Sequence, residues 1–107
     1  MATTPNKPLV SLARACLHLR VVPGEDDTAI NDLIEAASDI VMDYLKKPVP
    51  EEWKVETDST ASTVPGPVRA AVLLVLGHLY ADREGGTDPI SPAVVSLLMR
   101  HRDPAVA

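Results

Sequence analysis

The sequence predicts a mainly α-helical fold, about four helices in a small bundle with one long loop. Three observations carry this expectation. Four segments repeat apolar residues at helical spacing, with serine, proline or glycine at their bounds. Phe is absent and aromatic residues are only 3% of the chain, so the core must be built from Leu, Val, Ile and Ala, which suits packed helices. Residues 48–66 break the helical pattern, with no periodicity from Glu56 to Thr63. The 107 residues suffice for one compact domain and not for two. Residues 1–8 read as a flexible N-terminal arm, 9–103 as the single helical domain and 104–107 as a tail.

The first helix is expected over Leu12 to about Leu19. Ser11 is its N-cap, and Leu12, Ala15, Cys16 and Leu19 share one face at i, i+3, i+4, i+7. Arg14 stands where a capping box would have Glu or Gln. Pro23-Gly24 forces a turn. The second helix follows the acids Glu25, Asp26 and Asp27, which suit its N-terminal dipole. Ile30, Leu33, Ile34, Ala37, Val41, Tyr44 and Leu45 form its apolar stripe, and Lys46, Lys47 and Pro48 close it. Its other side carries Asp32, Glu35, Asp39 and Asp43 at spacings of three and four.

Beyond it, Val49 to Val55 could hold a short extended piece around Trp53, and Glu56 to Thr63 is a polar, Ser/Thr-rich exposed loop. Such long loops are usually functional or disordered. Pro67 suits the first turn of a third helix, expected from Val68 to about Arg83. Val68, Ala71, Val72, Val75 and Leu79 make its core stripe, yet Ala70, Leu73, Leu74 and Gly77 make the back apolar too. A helix apolar all round is covered on both sides. Two readings stand: the back face meets another subunit, with Ala70 and Gly77 permitting close approach, or the helix is central and covered by the other three. Gly85-Gly86 ends it. Ser91 caps a last helix with Pro92 at its first position, running through Val94, Val95, Leu97 and Leu98 to about Arg102.

Charge and chemistry narrow the function. The formal net charge is −5, whereas a duplex-DNA binder needs a basic face to displace counterions. The imbalance sits in one segment: between Glu25 and Lys47 there are seven acids and two bases, leaving eight of each elsewhere. Cys16 is the only cysteine, so neither an internal disulfide nor a Cys-based metal site can form, and its apolar face predicts a buried, inert thiol. His18, His78 and His101 fall on three different expected helices, in no metal-ligand spacing. Ser11 and Ser91 are explained as caps, and Gly85-Gly86 lacks the residues of a phosphate loop. The acidic row could suggest a divalent-metal or acid/base site, but those need carboxylates converging in a concave place. A row along one helix face points to solvent, to a basic neighbour or to a channel. The opening MATTPNKPLV has no stretch apolar enough for a signal peptide, and the longest apolar run, Ala70 to Leu76, is too short to span a bilayer, so a soluble protein is expected where it is made.

The ordered fragments carry a resemblance. Leu9-Val10-Ser11-Leu12, Ala15 and Leu17-His18-Leu19-Arg20 open the pattern. The acidic turn Glu25-Asp26-Asp27 and the amphipathic run Ile30 to Leu45, closing in Asp43-Tyr44-Leu45, come next. Val64-Pro65, Val68-Arg69-Ala70-Ala71, His78-Leu79-Tyr80 and Arg83-Glu84 form a proline-initiated apolar helix. Leu97-Leu98 with Arg100 and Arg102 closes it. This set is similar to the small head–tail connector family of tailed bacteriophages, over Leu9 to Arg102. The resemblance implies a helical structural protein with no enzyme activity and no cofactor. It implies assembly in the host cytoplasm into a ring, usually dodecameric, placed in the virion beneath the portal. Such a ring extends the DNA channel, binds no specific DNA sequence, needs no membrane, and offers a surface to the next head-completion or tail protein. In that frame Ala70, Leu73, Leu74 and Gly77 are the candidate oligomer interface. Asp32, Glu35, Asp39 and Asp43 are the channel or docking face, and Arg100, His101 and Arg102 the candidate portal contact. Arg14 in place of the capping acid departs from the pattern, and loop 48–66 has no motif that aligns. The rival readings are another virion adaptor, such as a stopper or tail-completion protein, and a small helical DNA-binding or packaging regulator. The regulator would need several exposed basic or amide residues on a recognition helix, and the last helix has such residues only at its end.

Overall fold

A computed structural model of the chain describes residues 8–46, 49–57, 59–82 and 88–100. Among these residues the structure consists of four helices and no strands, the expected small all-α bundle. The helices are α1 (Leu12–Leu19), α2 (Asp27–Leu45), α3 (Gly66–Ala81) and α4 (Pro92–Leu98).

The caps explain most of the bounds. The Ser11 hydroxyl accepts the Arg14 N–H and the Ser91 hydroxyl accepts the Val94 N–H, so α1 and α4 start where their serines predict. α2 begins at Asp27 without a side-chain cap on its first amides. The Asp27 carboxylate instead reaches back to the Gly24 N–H at 2.8 Å and fastens the turn, in which Gly24 holds a left-handed φ of 99°. α1 and α2 both end on a non-glycine residue in the left-handed region, Arg20 (φ 59°) and Lys46 (φ 60°). Each closes its helix through its own backbone N–H, Arg20 to Cys16 and Leu17 carbonyls, Lys46 to Met42 and Asp43 carbonyls. α3 starts two residues earlier than expected, at Gly66, because Pro67 fits the second helical position as well as the first. It ends at Ala81. α4 closes at Leu98, its last buried residue, and Met99 and Arg100 form a turn.

The core is aliphatic. Leu9, Ile30, Ile34, Leu45, Leu76 and Leu98 are the largest side chains fully withdrawn from water, with Val10, Val41, Val68, Val72, Val75 and Val94 between them. α3 is central and touches α1, α2 and α4. Among the described residues one polar residue is fully buried, Ser38, whose hydroxyl accepts the N–H of Leu9 at 3.1 Å. That bond satisfies a buried backbone donor and fixes the segment leading into α1 against α2.

The segment between α2 and α3 has neither helix nor strand among its described residues, as its lack of periodicity predicts. It is nonetheless closed by hydrogen bonds. Thr63 N–H donates to Lys54 C=O at 2.9 Å, Lys54 N–H to Thr63 Oγ1 at 2.8 Å, and Thr57 N–H to Thr60 C=O at 2.9 Å. The first and third are backbone–backbone bonds, and hydroxyl side chains add the rest: Thr63 Oγ1 accepts the Lys54 N–H, and Thr57 Oγ1 accepts the Ser59 and Thr60 N–H groups. Trp53 and Val64 anchor the two ends in the core.

Candidate functional site

Three surfaces were expected to carry function, and the fold separates them. The acidic row is the plainest. Asp32, Glu35, Asp39 and Asp43 are all exposed along α2. They do not converge, and among the described residues there is no group of three His, Cys, Asp or Glu that could hold a metal ion. Beside the row runs a half-buried apolar flank of α2, opened by two clefts. The first, about 360 Å³, lies between Ala29, Leu33 and Ala36 of α2 and Leu79 and Tyr80 of α3, with Asp26 and Asp32 at its edge. The second, about 470 Å³, lies between Ile40 and Tyr44 on one side and Ile90 on the other, edged by Asp39, Asp43 and Lys46. The acids therefore border an apolar groove, a pairing that their spacing alone does not reveal.

The back of α3 is divided. Leu74 is 41% exposed, whereas Ala70, Leu73 and Gly77 are half-buried. The space beside Gly77 is taken within the subunit: a β-carbon there would meet Nε2 of His18, on α1, at 3.3 Å. Close approach at Gly77 thus serves the α1–α3 packing, and Leu74 is the outward member of the set. Of the third surface, Arg100 is exposed at the end of α4, and His101 and Arg102 lie outside the described residues.

The structure adds residues that pattern reading passed over. Leu17 (79% exposed) and Val22 (63%) flank the exposed Arg20 at the end of α1, and Met99 (63%) follows α4. A signal was present for Leu17, which falls off the stripe made by Leu12, Ala15, Cys16 and Leu19. No signal pointed to the pair formed by Arg14 and Glu56, 42 residues apart, joined at 2.6 Å. This bond holds the Glu56 carboxyl below its ordinary value, against a smaller opposing effect of partial burial, with Arg69 nearby adding to the lowering. Its second oxygen, Oε1, is buried without a partner. The bridge ties the loop between α2 and α3 to α1.

Cys16 is buried, and withdrawal from water raises its thiol pKa, with the charge of Asp27 adding to the effect. It is held as the neutral thiol, the form least able to attack or ligate. Among the described residues no helix is long and apolar enough to cross a membrane.

What remains is a helical domain with acid-bordered apolar clefts and isolated outward hydrophobic residues. No curated protein and no solved structure matches the chain. A family model does, that of the Phage gp6-like head-tail connector protein, over residues 10–98. That span runs from the residue before the Ser11 cap to the last residue of α4, so the chain belongs to the phage head–tail connector family, as its ordered fragments suggest.

Proposed function

We propose that the chain is one copy in a homo-oligomeric ring that docks on the portal, extends the DNA channel and joins head to tail. The observation that carries this reading is the family match over the whole helical body, residues 10–98. The surface supports it. A single domain of this size buries a smaller fraction of its surface than a larger one, and contact with neighbours would cover Leu17, Leu74 and Met99. In the ring, Leu74 with the half-buried Ala70 and Leu73 contributes to subunit contact. Arg100, His101 and Arg102 form the basic group offered to the portal. The row Asp32, Glu35, Asp39 and Asp43 is the channel or docking face; repeated around a ring it becomes a strong negative field. The far side of the ring receives the next head-completion or tail protein.

The test is assembly with the cognate portal, followed by size-exclusion chromatography with light scattering and electron microscopy of the complex. A closed ring of this chain seated on the portal is expected. A monomer or dimer that ignores the portal and retains duplex DNA would replace this reading with the regulator. Binding to tail-tube protein but not to portal would replace it with another virion adaptor.

A further inference from the structure

The geometry points to a head-to-tail contact between copies of this chain. In it, the end of α1 of one subunit (Leu17, Arg20, Val22) seats in the α2–α3 cleft of the next. The inference rests on the ring reading above and deepens it by assigning a second subunit contact in addition to Leu74, which takes Asp32 out of the channel or docking row and into the interface.

The first half is an exposed patch. Among the described residues Leu17, Val22 and Met99 are the most exposed large apolar side chains, and Arg20, also exposed, stands between the first two in sequence. Leu17 and Arg20 line a shallow cleft with Ala13, Cys16, Val21 and Pro23, so this end of α1 is apolar with a positive centre.

The second half is its complement. The cleft of about 360 Å³ has an apolar floor, including Ala29, Leu33 and Leu79, and carries the carboxylates Asp26 and Asp32 at its edge. An apolar side chain entering it removes floor and side chain from water together, and an arginine beside that side chain meets the acids. Arginine suits such a contact, being weakly hydrated and able to bond a carboxylate through two N–H groups. Glu25 and Asp27 stand close by in the same acidic turn, so the electrostatic match extends past the single pair.

The two halves are different surfaces: the first closes α1 ahead of the turn at Gly24, and the cleft runs from Asp26 along α2 to Leu79 and Tyr80 of α3. Two different surfaces on one chain, joined head to tail, generate a ring when the rotation between neighbours closes. A contact of each patch with itself would stop at a dimer, and like charges would oppose it.

Charge reversal in the full chain, with the portal present if rings require it, tests the contact. Leu17→Asp, Arg20→Asp and Asp32→Arg all lie at exposed positions, so helix content and thermal midpoint should stay near wild type. Each should raise the concentration at which rings form by about tenfold or more. The double variant Arg20→Asp/Asp32→Arg should recover most of the loss, because it restores opposite charges across the contact. Rings that form normally in Leu17→Asp, or a double variant no better than its parents, would overturn the contact and leave the ring reading intact. Normal rings that no longer bind the portal would assign the end of α1 to the portal and overturn the contact. A wild-type chain that makes no ring with its portal would overturn the ring reading and this contact together.

Discussion

Replacing Ser38 by alanine removes one oxygen atom, and its effect can be worked out from the structure. Ser38 and Leu9 are both fully buried, and the Ser38 hydroxyl accepts the Leu9 N–H at 3.1 Å. In the variant that N–H keeps its desolvation cost and loses this acceptor. A buried donor left unsatisfied costs about 1–3 kcal/mol. The methyl group that remains fills nearly the same space, so little cavity cost is added. For a domain of this size each kcal/mol moves the thermal midpoint by about 4–8 °C. Ser38→Ala should therefore melt at least about 4 °C below wild type. Its urea midpoint should fall with an unchanged slope, since the surface exposed on unfolding is the same. Hydrogen exchange at the Leu9 amide should quicken more than exchange in α2 or α3, because the bond fastens the segment entering α1. A loss below about 0.5 kcal/mol, the range of an ordinary surface substitution, would show that the Leu9 N–H has another acceptor and that Ser38 is not the anchor.

Leu74→Asp places a charge where the side chain is 41% exposed, so the monomer should keep its fold and its midpoint; rings that still form at wild-type concentration would remove Leu74 from the interface. Glu56 has a lowered pKa in the folded chain, so its bridge to Arg14 stabilises the fold above the ordinary carboxylate range. That contribution is lost as pH falls through the depressed folded value. Exposure of Arg14 limits it to under about 1 kcal/mol, and Arg14→Ala should flatten this part of the stability–pH curve; an unchanged curve would contradict the bridge. Lys46→Gly relieves a left-handed backbone (φ 60°) and should leave stability unchanged or raise it by up to about 1 kcal/mol in urea titration, whereas a marked loss would show that the lysine side chain matters to the end of α2.

The fold was legible where the sequence carries its own punctuation. Ser11 and Ser91, Pro67 and Pro92 mark helix starts through local chemistry, and their helices follow. The ends of α1 and α2 also fall where expected, although the residues that take the left-handed closing conformation are Arg20 and Lys46 rather than glycine; α4 stops at Leu98, short of the expected Arg102. The acidic row could be read as exposed, since its spacing fixes its side of α2. That the row borders an apolar cleft could not be read, because the opposing wall comes from Leu79, Tyr80 and Ile90, far along the chain. The Arg14–Glu56 bridge was hidden for the same reason. Gly77 was legible as a site of close packing, but pattern alone does not say whether the neighbour belongs to another subunit or, as with His18, to the same one.

Trp53 is the sole tryptophan of the chain and sits only 7% exposed at the foot of the segment closed by Lys54 and Thr63. Its indole therefore works as a built-in optical gauge of that one junction. In the folded subunit its emission should lie toward the blue, as expected of an indole shielded from water. If docking on a neighbour or on the portal lifts the segment, the emission moves to the red while the helical circular dichroism stays constant. If docking leaves the segment seated, neither signal moves. The two outcomes can be told apart in a mixing experiment with an unlabelled chain, provided the partner's own tryptophans are subtracted, so the state of this loop can be followed in real time during assembly.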